Sequence, residues 1–105
     1  MSHHHFQIAY TINPRREIID EDAARDARRR LRALGWQTVP DIETTLLGEM
    51  TLFNSTLASR IKEAEKQIRD RVHEELRGLQ VLTRVKFHGS LMVDGLGEAI
   101  RIDID

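Results

Sequence analysis

The chain has 105 residues, 16 lysines and arginines against 17 aspartates and glutamates, and no cysteine. That length fits a single domain over residues 1–105 with one core. Near-neutral charge supplies no global field toward nucleic acid or membrane, and without thiols neither a disulfide framework nor a thiolate metal centre can form.

Phe6, Ile8, Tyr10 and Ile12 alternate with lighter residues, which predicts a strand that stops at Asn13-Pro14. Met1 to His5 lacks the basic and apolar regions of a signal peptide and is expected to be a disordered terminus. Asp20 is placed as the N-cap of a first helix, its carboxylate accepting from the first free amides. Ala24, Ala27, Leu31 and Leu34 form the apolar stripe of that helix, and Gly35 ends it. Trp36 to Val39 and Ile42 to Met50 read as strands on either side of a Pro40-Asp41 turn.

Asn54 or Ser55 is expected to cap a second, longer helix with the stripe Leu57, Ile61, Ala64, Ile68, Val72 and Leu76, closed by Gly78. A strand from Val81 to Val93 follows, with Arg84, Lys86 and His88 on its outer face. Asp94 to Gly97 is a turn, and Ile100, Ile102 and Ile104 alternate in a last strand. No apolar run approaches the ~20 residues of a bilayer span, so no membrane partner is expected and the reading is a cytoplasmic protein.

The order is β-α-β-β-α-β plus a terminal strand. It predicts an α+β, ferredoxin-like sandwich, with two helices on one face of an antiparallel sheet and the other face left open. The expected core includes Ile8, Tyr10, Leu31, Leu34, Ile61, Ile68, Val72, Val85 and Phe87.

Few residues carry a chemical signal. Arg25, Arg28, Arg29 and Arg32 recur at i, i+3, i+4 and i+7, a stripe expected on the solvent side of the first helix. With Arg84 and Lys86 they are the candidate nucleic-acid contacts, because guanidinium and ammonium groups in a row can clamp phosphates. A charge run is more often a solvated face. No exposed aromatic platform accompanies them, so sequence-specific stacking on RNA is not expected. His73-Glu74-Glu75-Leu76-Arg77 resembles a zinc-protease helix, but an arginine stands where the second histidine ligand belongs. Gly95 and Gly97 fit a turn rather than a phosphate cradle. No cofactor or metal site is predicted. Convergence of Asp41, Glu43 and Glu49 would be needed for a divalent ion.

Phe6 to Arg16, followed by an arginine-rich helix ending in Leu34-Gly35, resembles the opening of the small ferredoxin-like CRISPR-associated proteins of spacer acquisition and their antitoxin endoribonuclease relatives. The resemblance implies a dimeric ferredoxin-like protein able to contact nucleic acid. Where that family carries a strand-end aspartate, Tyr10 is followed here by Thr11, which cannot supply the charge for a catalytic metal. The preferred reading is therefore a non-enzymatic binding or adaptor module acting as a homodimer, with Leu82 and Met92 as candidate interface residues. A nucleic-acid-binding regulator or antitoxin is the first alternative. A metal-dependent nuclease or hydrolase is the second.

Overall fold

In the computed structural model, which describes residues 1–105, the elements run β1 (Ser2–Pro14), α1 (Glu21–Arg32), β2 (Gln37–Val39), β3 (Ile42–Leu52), α2 (Leu57–Gly78), β4 (Val85–Val93) and β5 (Ile100–Ile104). The five strands form one antiparallel sheet in the order β2-β3-β1-β4-β5. The architecture is α+β. No helix is long and apolar enough to cross a membrane.

Alternation in the sequence decides the two faces. Phe6, Ile8, Tyr10 and Ile12 of β1, Leu46 and Leu52 of β3, Phe87 and Leu91 of β4 and Ile102 of β5 are all buried. They pack with Ala23, Ala24, Ala27 and Leu31 of α1 and with Ala64, Ile68, Val72 and Leu76 of α2 in a single core. The short α1 side chains let that helix lie close to the sheet, while α2 supplies the larger groups. Tyr10 stacks on Phe87 with ring centroids 5.7 Å apart. Leu34 and Ile61, expected inside, are only partly buried at the margin of this core, and Leu57 is exposed.

Several local expectations are corrected. Residues 1–5 do not form a disordered tail, since β1 begins at Ser2. His4 has the same parity as Phe6 and Ile8 and turns inward, where its Nδ1 lies 2.8 Å from the carbonyl oxygen of Asp94. A carbonyl can only accept, so Nδ1 carries a proton there. Nε2 meets the Ser2 hydroxyl at 2.7 Å. The cap of α2 is Thr56, whose hydroxyl accepts from the Ser59 amide, rather than Asn54 or Ser55. Glu63 of α2 reaches back to accept from the amides of Phe53 and Asn54. Burial pushes its carboxyl up, but these amides outweigh that effect and leave it below its ordinary value.

The end of α2 also differs. Gly78 is the last helical residue, and the left-handed position falls on Gln80, with φ +61°. The Gln80 amide bonds the Arg77 carbonyl and the Val81 amide bonds the Leu76 carbonyl. Those two bonds make the terminus that usually places glycine in the left-handed position. Gln80→Gly is therefore expected to raise stability by about 0.5–1 kcal/mol. Gly78→Ala is expected to add a similar amount, since its Cβ would meet nothing within 4 Å. Chemical denaturation of the two variants and their combination checks both.

Candidate functional site

The uncovered face of the sheet is the largest surface left without a layer above it. Strand register builds it row by row. His5 pairs with Glu49, and Gln7 lies between Leu47 and Met92. Ala9 lies between Thr45 and Ser90, with Arg101 beyond, while Thr11 is followed by His88 and Asp103. Two shallow depressions cross this face. One, of about 540 Å³, is lined by Ala9, Thr11, His88, Ser90, Ala99 and Arg101. The other, of about 570 Å³, is lined by Gln7, Leu47, Met92, Asp94, Gly95 and Gly97.

The first depression has a polar, fixed wall. His88 Nδ1 lies 2.7 Å from a carboxylate oxygen of Asp103, and Arg101 Nε reaches the same carboxylate at 3.1 Å. The His88 and Arg101 hydrogen bonds hold the Asp103 carboxyl below its ordinary value. The bond to Asp103 orients the His88 imidazole on the open face. The second depression carries two large apolar side chains, half-buried Leu47 and Met92, which is 51 % exposed.

The predicted cations do not assemble into one patch. Arg25 and Arg29 are exposed on α1, with Arg29 4.0 Å from Asp26. Arg28 is half-buried and donates to the Ile12 carbonyl at 2.9 Å. Arg32 donates to the Glu43 carbonyl at 2.9 Å. The solvent-side stripe is thus split, because long guanidinium side chains at the edge of α1 find backbone acceptors at the ends of β1 and β3.

Arg84 is displaced further from its expected place. β4 begins at Val85, so Arg84 belongs to the preceding turn and does not share the outer face of Lys86 and His88. Its guanidinium turns to Asp20 (2.9 Å) and Asp22 (2.8 Å). Asp20 has no solvent-accessible side-chain surface and makes no side-chain cap bond to α1. Its carboxylate also accepts from the amide, Nε and Nη2 of Arg16. The residue read as a simple helix cap is the buried centre of an ion network whose arginines reach solvent, and it joins the ends of β1, α1 and β4.

Of the candidate interface residues, Met92 lies on the open face. Leu82 does not: it packs partly buried against the core in the turn before β4, beside Arg15 and His73. The prominence of Leu47 was missed because a Thr-Thr-Leu-Leu-Gly run has no clean alternation. Asp41, Glu43 and Glu49 lie along β3 and its turn, and no group of three or more metal-ligating side chains is placed to hold an ion.

Comparison of the chain with protein-family models, with curated proteins and with solved structures found no match.

Proposed function

We propose that this protein is a non-enzymatic binding module of ferredoxin-like, split βαβ architecture, and that it self-associates through the uncovered face of its sheet. The order β2-β3-β1-β4, with both helices covering one side, supports the architecture, and β5 is the added strand. The observation that carries the function is the Leu47–Gln7–Met92 strip, in which two large apolar side chains flank an exposed glutamine on a sheet face with no layer over it. A second copy laid face to face would cover that strip. Self-association is also what the resemblance of the first third implies.

Phosphate binding takes second place on this reading. Arg28, Arg32 and Arg84 direct their guanidinium groups to acceptors within the protein, which leaves Arg25, Arg29 and Lys86 as the outward members of the six candidate phosphate contacts.

Sedimentation at tens of micromolar is expected to give dimer mass for the native chain. Met92→Arg is expected to return monomer mass and a melting temperature that no longer rises with protein concentration, while the monomer stays folded because this side chain is solvent-facing in the single chain. Monomer mass for the native chain at the same concentration would remove the self-association reading.

A further inference from the structure

β2 pairs with β3 no further than Leu47, although β3 continues to Leu52. Gly48 to Leu52 is therefore a strand edge, and its free groups can be assigned from parity. The Asp94 amide bonds the His5 carbonyl and the Arg15 amide bonds the Arg84 carbonyl. Odd residues of β1 thus direct their backbone groups to β4, and even ones to β3. The even residues of β3, Gly48, Met50 and Leu52, answer them. Glu49 and Thr51 must point their amides and carbonyls outward. Two side-chain bonds agree: Gln67 Nε2 donates to the Thr51 carbonyl at 2.9 Å, and Glu63 accepts from the Phe53 amide. The Glu49 amide, the Glu49 carbonyl and the Thr51 amide remain for a partner.

The far edge of the sheet carries more charge than this one, whose outward residues are Glu49 and Thr51 and whose bonded carbonyl is that of Thr51. Arg101 and Asp103 are the outward residues of β5. Arg69 donates to the Asp103 carbonyl at 2.7 Å, and its guanidinium is anchored by Glu65. Charged side chains and a bonded carbonyl are the usual protection against strand addition. The β3 edge is instead flanked by depressions of about 600 and 290 Å³, which share Phe6, Trp36 and Glu49. The smaller adds Met50 and Ile68, with Gln67 and Arg71 on its rim.

From this arrangement we infer that the Gly48–Leu52 edge is a second binding site, which takes an extended segment of another protein as an antiparallel strand in line with β2. The segment's residue opposite Glu49 exchanges two hydrogen bonds with it and sits on the open face. Its neighbours opposite Gly48 and Met50 turn to the helix side, toward Trp36, Met50 and Ile68. Glu49 is the acid on that part of the open face, where its carboxylate lies 3.4 Å from His3 Nε2 and 3.5 Å from His5 Nδ1, and a basic residue opposite it on the added strand extends that pairing across the edge. The recognised pattern is apolar–basic–apolar in extended form, with backbone bonds supplying affinity and alternate side chains supplying specificity.

The test uses the full chain and a fluorescein-labelled Thr-Ile-Lys-Phe-Thr peptide. Two control peptides carry glutamate or N-methyl-lysine at the centre. Saturable anisotropy change is expected with the lysine peptide, about three- to fivefold weaker binding with the glutamate peptide, and none with the N-methyl peptide. Glu49→Lys is expected to invert the lysine-to-glutamate preference. Amide hydrogen exchange supplies an independent readout: without peptide, Glu49 and Thr51 exchange fast while Met50 is protected, and peptide slows both. No binding of the lysine peptide up to about 1 mM, or equal binding of the N-methyl peptide, would overturn the inference. Protection of Glu49 and Thr51 that grows with protein concentration alone would also overturn it, by giving this edge to a second copy. Met92→Arg is expected to leave peptide binding intact, so failure of face-to-face association and failure of this site are distinguishable.

Discussion

Asp20→Asn is expected to lower the melting temperature by at least about 10 °C, whereas Asp22→Asn changes it little. Both aspartates bond Arg84 at nearly the same distance, so the contrast rests on burial. Asp20 is inaccessible; its Oδ2 accepts from Arg16, and its Oδ1 accepts from both Arg16 and Arg84. Removing its charge leaves two guanidinium groups facing a neutral amide at the junction of β1, α1 and β4. Asp22 is more than half exposed, and water replaces its interaction with Arg84 at small cost.

The same network dictates the acid limb of stability. The side-chain hydrogen bonds of Arg16 and then Arg84 hold the Asp20 carboxyl well below the usual carboxylate range, far under its ordinary value of 3.8. A carboxyl depressed on folding stabilises the native state at every pH above the ordinary value, and that contribution is lost as pH falls toward the folded value. Asp103 shifts in the same direction. Melting temperature is thus expected to fall steeply as pH drops below about 4. In Asp20→Asn the fall is shallower, and the native chain and the variant converge under strongly acid conditions. Parallel melts from neutral to acid pH check the sign.

Gly48→Val is expected to destabilise the protein by about 1–3 kcal/mol, against the trend of strand propensity. Glycine within a strand ordinarily costs stability, and a branched residue there ordinarily restores it. At this position Gly48 faces Phe6 across the β1–β3 ladder. A Cβ on Gly48 would fall 2.5 Å from Phe6 Cζ and 3.1 Å from Trp36 Cδ1. The Phe6 ring cannot swing away freely, because it is buried and set edge-on to Trp36 at a centroid distance of 5.4 Å. The double variant Gly48→Val with Phe6→Ala is expected to be more stable than the sum of the two single losses. Denaturation of all three variants measures that coupling directly.

Much of the fold was legible in the chain because its rhythms are local. Period-two alternation in Phe6 to Ile12 and Val85 to Val93 assigns each side chain to a face before any partner is known. The Ala24, Ala27, Leu31 row does the same for α1. Gly35 has the positive φ read for it, +95°, but α1 ends before it at Arg32 with Ala33 as the cap, so neither Gly35 nor Leu34 belongs to the helix end. The surface was legible only in part. Met92 lies on the open face as its parity indicates, and Lys86 and His88 share that face. Leu82 and Arg84 were misplaced because alternation was extended back to Val81 through a segment that folds as a turn.

What the sequence by itself determined is the order of strands and helices, the inward parity of β1 from Phe6 and of β4 from Val85, and the apolar row of α1. Those follow from side-chain size, polarity and spacing, which act within a few residues. Only the tertiary structure decided the fate of the charges and the edges. Arg84 finds Asp20 across 64 positions of chain, and Arg28 and Arg32 find carbonyls at the ends of other strands. The Gly48–Leu52 edge is bare because β2 is only three residues long. An ion pair or an unpaired backbone group is defined by what lies next to it in space, and neither leaves a periodic mark on the chain.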